Sequence, residues 1–220
     1  MTTAGIPTPV VPKTTRTTKA TWVYATAGAL VGGILLGILD NLAQGWLPGA
    51  WNQIPNSGAV WSAVAFVTGA LLARRASPAV VALAGLLVES GLVIGYYGYA
   101  EFGRDGMGSF FYPTVWLFFG FVAGPLFAIA ATWWRRGQDV RHRVAGPAVL
   151  AGVFGGEGIH YAWTLHYAPQ AWGCFVIAVL AALLPGRTLK ERGQTLLAAI
   201  PLSLLAYVLV YVLVLNHVSA

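Results

Sequence analysis

The chain has 220 residues, of which 57% are hydrophobic and 9% charged, with a mean hydropathy of +0.69, a composition that excludes both an ordinary soluble domain and a disordered one. Its formal net charge of +6 is confined to short segments between apolar runs. No basic helix or aromatic–basic interleaving is present to grip phosphates, which argues against a nucleic-acid partner.

Residues 1–20 are rich in Thr and Pro and predict a disordered cytoplasmic tail ahead of a single transmembrane domain over 21–220. Helices are expected near 22–44, 59–74, 77–99, 112–134, 144–164, 168–185 and 193–216, each close to the ~20 apolar residues that cross ~30 Å of hydrocarbon. The first is too long for a signal-peptide core and six more follow, so it reads as a retained anchor. Twelve of the 13 Lys and Arg residues fall in four segments: Lys13/Arg16/Lys19, Arg74/Arg75, Arg135/Arg136/Arg141/Arg143 and Arg187/Lys190/Arg192. Only Arg104 lies elsewhere. Cytoplasmic loops carry the excess of Lys and Arg, so the pattern predicts an all-α, polytopic membrane helical bundle. It has seven transmembrane helices, the N-terminus cytoplasmic and the C-terminus outside, as a multi-pass protein of the plasma membrane.

Prolines mark the boundaries. Pro78, Pro113 and Pro147 are expected in first helical turns, where a missing N–H costs nothing, and Pro169 opens the sixth span. Pro125 and Pro201 lie mid-span and predict bends. Gly28/Gly32, Gly33/Gly37 and Gly152/Gly156 have the four-residue spacing of close helix contacts. Gly155, Gly156 and Gly158 are expected to clear volume beside Glu157. Trp61, Trp116 and Trp172 recur at nearly equal separations near the start of the even-numbered spans, which suggests three repeated helical hairpins behind a leading helix. The lone cysteine, Cys174, lies inside an apolar run and leaves no disulfide framework within one chain.

The acids are the informative residues. Asp139 and Glu191 sit in basic loops and read as solvated charges. Glu89 and Glu157 each fall ~18–20 Å into helices of the same direction, and Asp40 lies toward the outer end of the first. A carboxyl at that depth is costly to insert and rarely faces lipid, so its default reading is functional; the alternative is a neutral glutamic acid bridging helices. Aromatic side chains gather at the same depth and above it: Trp61, Tyr96, Tyr97, Phe111, Tyr112, Trp116, Tyr161, Trp163 and Tyr207. An interfacial belt explains part of this density, and an aromatic-walled chamber with acids at its floor explains the rest. Glu157-x-x-His160 matches one half of a carboxylate-bridged metal motif, but no second copy follows, so no metal is expected. His160 is expected to hydrogen-bond Glu157 or relay its proton.

Burial among aromatics favours the neutral form of a carboxyl, which then acts as a general acid toward an alkene or epoxide. Ring faces stabilise the carbocation produced, without trapping it. With seven helices, two intramembrane acids and an aromatic outer half, residues 22–216 resemble the small integral-membrane terpene cyclases of the bacterial drimentine and fungal meroterpenoid types. The resemblance implies protonation-initiated cyclisation of a prenyl chain on a hydrophobic prenylated substrate, without metal, cofactor or loss of diphosphate. It makes Glu89, Glu157 and Asp40 the candidate acids. No paired Asp-rich motif, Walker loop, Gly-x-Ser-x-Gly or His-Glu-x-x-His occurs, which argues against magnesium–diphosphate ionisation, nucleotide-driven pumping and hydrolase chemistry. The competing reading is a proton-coupled transporter in which the same acids titrate. The partners expected are the lipid bilayer and a prenylated small molecule; the oligomeric state is left open.

Overall fold

The computed structural model describes residues 18–215, so the expected 1–20 tail lies almost wholly outside the described residues. Seven α-helices follow one another, with no strand among the described residues: α1 (Lys19–Trp46), α2 (Gly58–Leu72), α3 (Pro78–Gly103), α4 (Phe111–Arg136), α5 (Val140–Ile159), α6 (Ala168–Leu183) and α7 (Leu189–Ala206). A 3₁₀ turn (Gly49–Gln53) precedes α2, and π-helical stretches extend α5 (His160–Thr164) and α7 (Tyr207–Leu215).

Local chemistry explains the starts. Thr18, Ser57, Asp139 and Thr188 each cap a helix by accepting a backbone N–H with their side-chain oxygen, satisfying one of the donors a first turn leaves free. Pro78 and Pro169 occupy first-turn positions in α3 and α6. Pro147 does not. The Asp139 cap starts α5 before Arg141 and Arg143, which places Pro147 well inside the helix. Charged residues cost nothing in a helix that begins outside an apolar layer, which is why counting only apolar residues started it late.

Four helical segments are long and apolar enough to cross a membrane: Lys19–Trp46, Pro78–Gly103, Phe111–Arg136 and Leu189–Val214. The expected count of seven such spans is not met by length and composition. With 15 residues, α2 extends only about 22 Å, and α6, with 16 residues, only about 24 Å. In α5 the glycines and the charges of Arg141, Arg143 and Glu157 dilute the apolar character.

Glycine sets how the helices meet. A methyl added to Gly33 or Gly37 of α1 would overlap the backbone of α3 at Val88 or Leu92, and one on Gly91 or Gly95 would overlap α1. The pair Gly85 and Gly124 makes a similar approach between α3 and α4. Gly152, Gly155 and Gly156 accept α7 at Leu202, Ser203 and Ala206, while Gly158 abuts Phe175 of α6. The glycines around Glu157 therefore admit neighbouring helices rather than opening a void. Gly28 and Gly32 meet nothing within 4 Å.

α1 packs on α3, while α6 and α7 pack on α5, and α2 and α4 join these two groups. The loops carrying Arg74/Arg75, Arg135–Arg143 and Arg187–Arg192 gather at one end. Arg136 donates to the Ala76 carbonyl at 2.6 Å. Arg143 forms a two-pronged bond to Glu191 Oε1 at 3.1 and 2.6 Å, and Glu191 Oε2 accepts the Arg187 N–H at 3.0 Å. Glu191 is thus buried and paired, not solvated, and Asp139 is a helix cap.

Candidate functional site

At the opposite half of the bundle, α2, α3, α4, α5 and the C-terminal helix enclose a pocket of about 480 Å³. Its wall is almost wholly apolar, and it opens along the cleft between α4 and the C-terminal helix, where Val122, Leu126, Leu209 and Leu213 are both lining and exposed. Glu89 lines it and is 2% exposed. Its Oε1 has no hydrogen-bond partner among the described residues. Gly120 of α4 stands opposite, and a methyl there would come within 3.1 Å of Glu89 Cβ. That missing side chain leaves room beside the carboxyl.

The aromatic wall comes from Trp61, Trp116, Phe119, Phe127 and Tyr211. Trp116 lies between Trp61 and Phe119, with ring centroids 5.6 and 5.8 Å away. Trp61 is held from behind: its indole N–H donates to Asp40 Oδ2 at 2.6 Å and to the Pro55 carbonyl at 3.1 Å. Tyr96 meets Trp61 edge-on at 5.8 Å and Tyr97 packs against the same group. The Tyr96 hydroxyl bonds Gln44 of α1, and its carbonyl accepts from Asn41 at 3.1 Å.

Glu157 has a different surrounding. It is 3% exposed and does not line the pocket. Its Oε2 accepts the Ala59 N–H at 2.8 Å, in the first turn of α2, and the hydroxyls of Ser57, Tyr161 and Tyr211 bond to the same carboxyl. A helix N-terminus with its free donors is a natural acceptor-binding place, and Glu157 occupies it. Tyr211 touches both sites, bonding Glu157 while lining the pocket.

A family model described as a family of unknown function (DUF6518) matches residues 16–216. The chain belongs to this DUF6518 family. No curated protein and no solved structure matches it.

In this DUF6518 chain the expected site residues separate into groups. Glu89, Trp61 and Trp116 share the pocket. Asp40, Tyr96 and Tyr97 stand behind Trp61, and Tyr161 belongs to Glu157. The His160 ring stacks flat on Tyr211 (4.1 Å, 13°) and its Nδ1 has no hydrogen-bond partner among the described residues, while Tyr161, the next residue of the π-helical stretch, meets the Glu157 carboxyl. Tyr207 meets the Thr164 hydroxyl at 3.3 Å. Phe111, Tyr112 and Trp163 are 48%, 55% and 68% exposed and line no part of the pocket. Trp172 is also exposed, unlike Trp61 and Trp116. Among the described residues no three His, Cys, Asp or Glu side chains converge as metal ligands would.

Sequence reasoning missed Ser57, Gly120 and Tyr211. Ser57 carried a readable signal as a cap before an apolar run. Tyr211 lies in an apolar run, Tyr207–Leu215, whose π-helical geometry no residue announces.

Proposed function

We propose that this chain is an integral-membrane terpene cyclase whose proton donor is Glu89. The observation that carries the reading is the Glu89 carboxyl: buried, with an oxygen lacking any partner, on the wall of an apolar pocket beside Trp61, Trp116 and Phe119. A buried polar atom left without a hydrogen bond is a cost to the fold, and such costs collect at functional sites. The pocket volume falls in the ~300–1,000 Å³ range of small-molecule sites.

A prenyl chain enters from the bilayer through the cleft between α4 and the C-terminal helix. The Glu89 O–H protonates its terminal alkene or epoxide, forming a C–H bond in the first case and an O–H bond with C–O opening in the second. A neighbouring double bond attacks the resulting carbon cation and a C–C bond closes. The final cation loses a proton to the Glu89 carboxylate, which restores the acid, so product and substrate are isomers and no co-reactant is needed. Ring faces of Trp61 and Trp116 stabilise the intermediates. Glu157 is a positioning residue that anchors the first turn of α2, from which Trp61 projects. Asp40 likewise acts through Trp61 rather than on substrate.

The chain crosses the plasma membrane seven times, the three gathered basic loops lying in the cytoplasm and the pocket in the outer half. The short α2 and α6 cross where the bilayer thins around them. Proton-coupled transport, the competing reading of the acids, has less support because the pocket wall offers a polar solute little beyond Glu89, Ser62 and Tyr211.

The test is turnover. Membranes bearing the wild-type chain are incubated with farnesylated aromatic and indole acceptors, as alkenes and as terminal epoxides, and searched for cyclised isomers of unchanged mass. Glu89→Gln should lower the rate by at least about 100-fold, the scale of a lost general acid. Wild-type turnover in Glu89→Gln overturns the assignment.

A further inference from the structure

Asp40 does not line the pocket, yet it is tied to the pocket by one short bond. Its Oδ2 accepts the Trp61 indole N–H at 2.6 Å, shorter than the ~2.7–3.2 Å usual for an N–H donor. Trp61 is 4% exposed and is wedged between Tyr96 and Trp116, so its orientation is set by packing. The carboxyl is therefore not needed merely to hold the ring. The same N–H also has the Pro55 carbonyl at 3.1 Å, so its hydrogen-bonding requirement is met without Asp40.

What Asp40 adds in its ionised form is charge. An aromatic ring binds cations through the negative potential of its faces. An anion at the N–H edge, in line with the indole dipole, pushes electron density toward those faces and deepens that potential. We propose that Asp40 is a positioning residue that polarises Trp61, making the pocket selective for apolar molecules carrying positive charge on carbon or nitrogen over neutral ones of the same shape. The inference rests on the pocket reading above and adds the ligand class: tertiary ammonium and sulfonium prenyl compounds, together with the cations they mimic.

The experiment is a binding measurement, independent of turnover. Two probes are compared: a fifteen-carbon prenyl dimethylamine, cationic at neutral pH, and its isostere with CH in place of the nitrogen. Binding to purified protein in lipid nanodiscs is followed by calorimetry. Every variant carries Glu89→Gln, so that no carboxylate on the pocket wall can pair with the ammonium. With Asp40 present the cationic probe should bind about tenfold more tightly, the scale of a desolvated cation–π contact. Asp40→Asn keeps an acceptor oxygen but removes the charge. It should erase most of the preference while leaving the neutral probe's affinity within twofold. In a Trp61→Phe background, which has no indole N–H, Asp40→Asn should have no effect on the preference.

A preference that survives Asp40→Asn overturns this inference alone. Equal loss for both probes does the same, because it marks Asp40 as structural. An undiminished Asp40→Asn effect in Trp61→Phe means that the charge acts directly on the ligand and also overturns it. Failure of both probes to bind overturns the pocket reading itself. Tight, Asp40-dependent binding without turnover in the wild-type chain leaves this inference standing and removes the cyclase reaction.

Discussion

Two glutamates, each at most 3% exposed, are embedded in opposite ways. Glu157 is met by the Ala59 N–H and three hydroxyls, whereas Glu89 Oε1 meets none. Removing the first strands its partners; removing the second strands nothing. Glu157→Leu should therefore destabilise the detergent-solubilised protein by about 2–4 kcal/mol, because a donor left unsatisfied in the interior costs ~1–3 kcal/mol. Glu89→Leu should leave the midpoint of thermal unfolding unchanged or raise it, since it deletes an unpartnered polar atom. Differential scanning fluorimetry of the two variants reads the contrast. If Glu89→Leu proved the more damaging, Glu89 would be a structural acid. The depth of both carboxyls could be counted along the chain. Their difference could not, because the Ala59 partner of Glu157 lies 98 positions away.

At the scale of helices, α1 carries the test of how packing reaches the pocket. Gly33 and Gly37 allow α1 to touch the α3 backbone, and Asp40 follows Gly37 by less than one turn on the way to Trp61. Gly37→Val should cost about 1–3 kcal/mol by overpacking and should also detach Asp40 from Trp61, shifting tryptophan fluorescence. Gly28→Val meets open space and should do neither. Small-residue spacing in the sequence identified both faces alike; which one is used depends on the opposing Gly91 and Gly95, which no local pattern pairs with α1. Helix order and most boundaries were legible because prolines and capping side chains write them locally. The π-helical stretches at His160 and Tyr207 were not, and they carry Tyr161 and Tyr211, the rings that meet Glu157. Phe111, Tyr112 and Trp163 were chosen for depth alone, which says nothing of the side of a helix they occupy.

Over the whole molecule, the alternation of basic loops and apolar runs becomes a bundle with the arginines of three loops gathered at one end by Arg136–Ala76 and Arg143–Glu191 contacts and its pocket in the other half. The proposed topology predicts opposite exposure of those ends. A membrane-impermeant thiol reagent applied to intact cells should label Gly106→Cys and spare Arg75→Cys, until the membrane is opened. The lone native thiol, Cys174, is buried and supplies little background. Labelling of Arg75→Cys from outside would invert the orientation and carry the pocket to the cytoplasmic half.

The proposed proton donor is a free, protonated Glu89 carboxyl facing an apolar hollow, and infrared difference spectroscopy reads that group directly. Wild-type protein in lipid at neutral pH should show the carbonyl band of a carboxylic acid with no hydrogen-bond partner, absent from Glu89→Gln and retained in Glu157→Gln. A wild-type spectrum without that band, or one that Glu89→Gln leaves intact, would contradict the account.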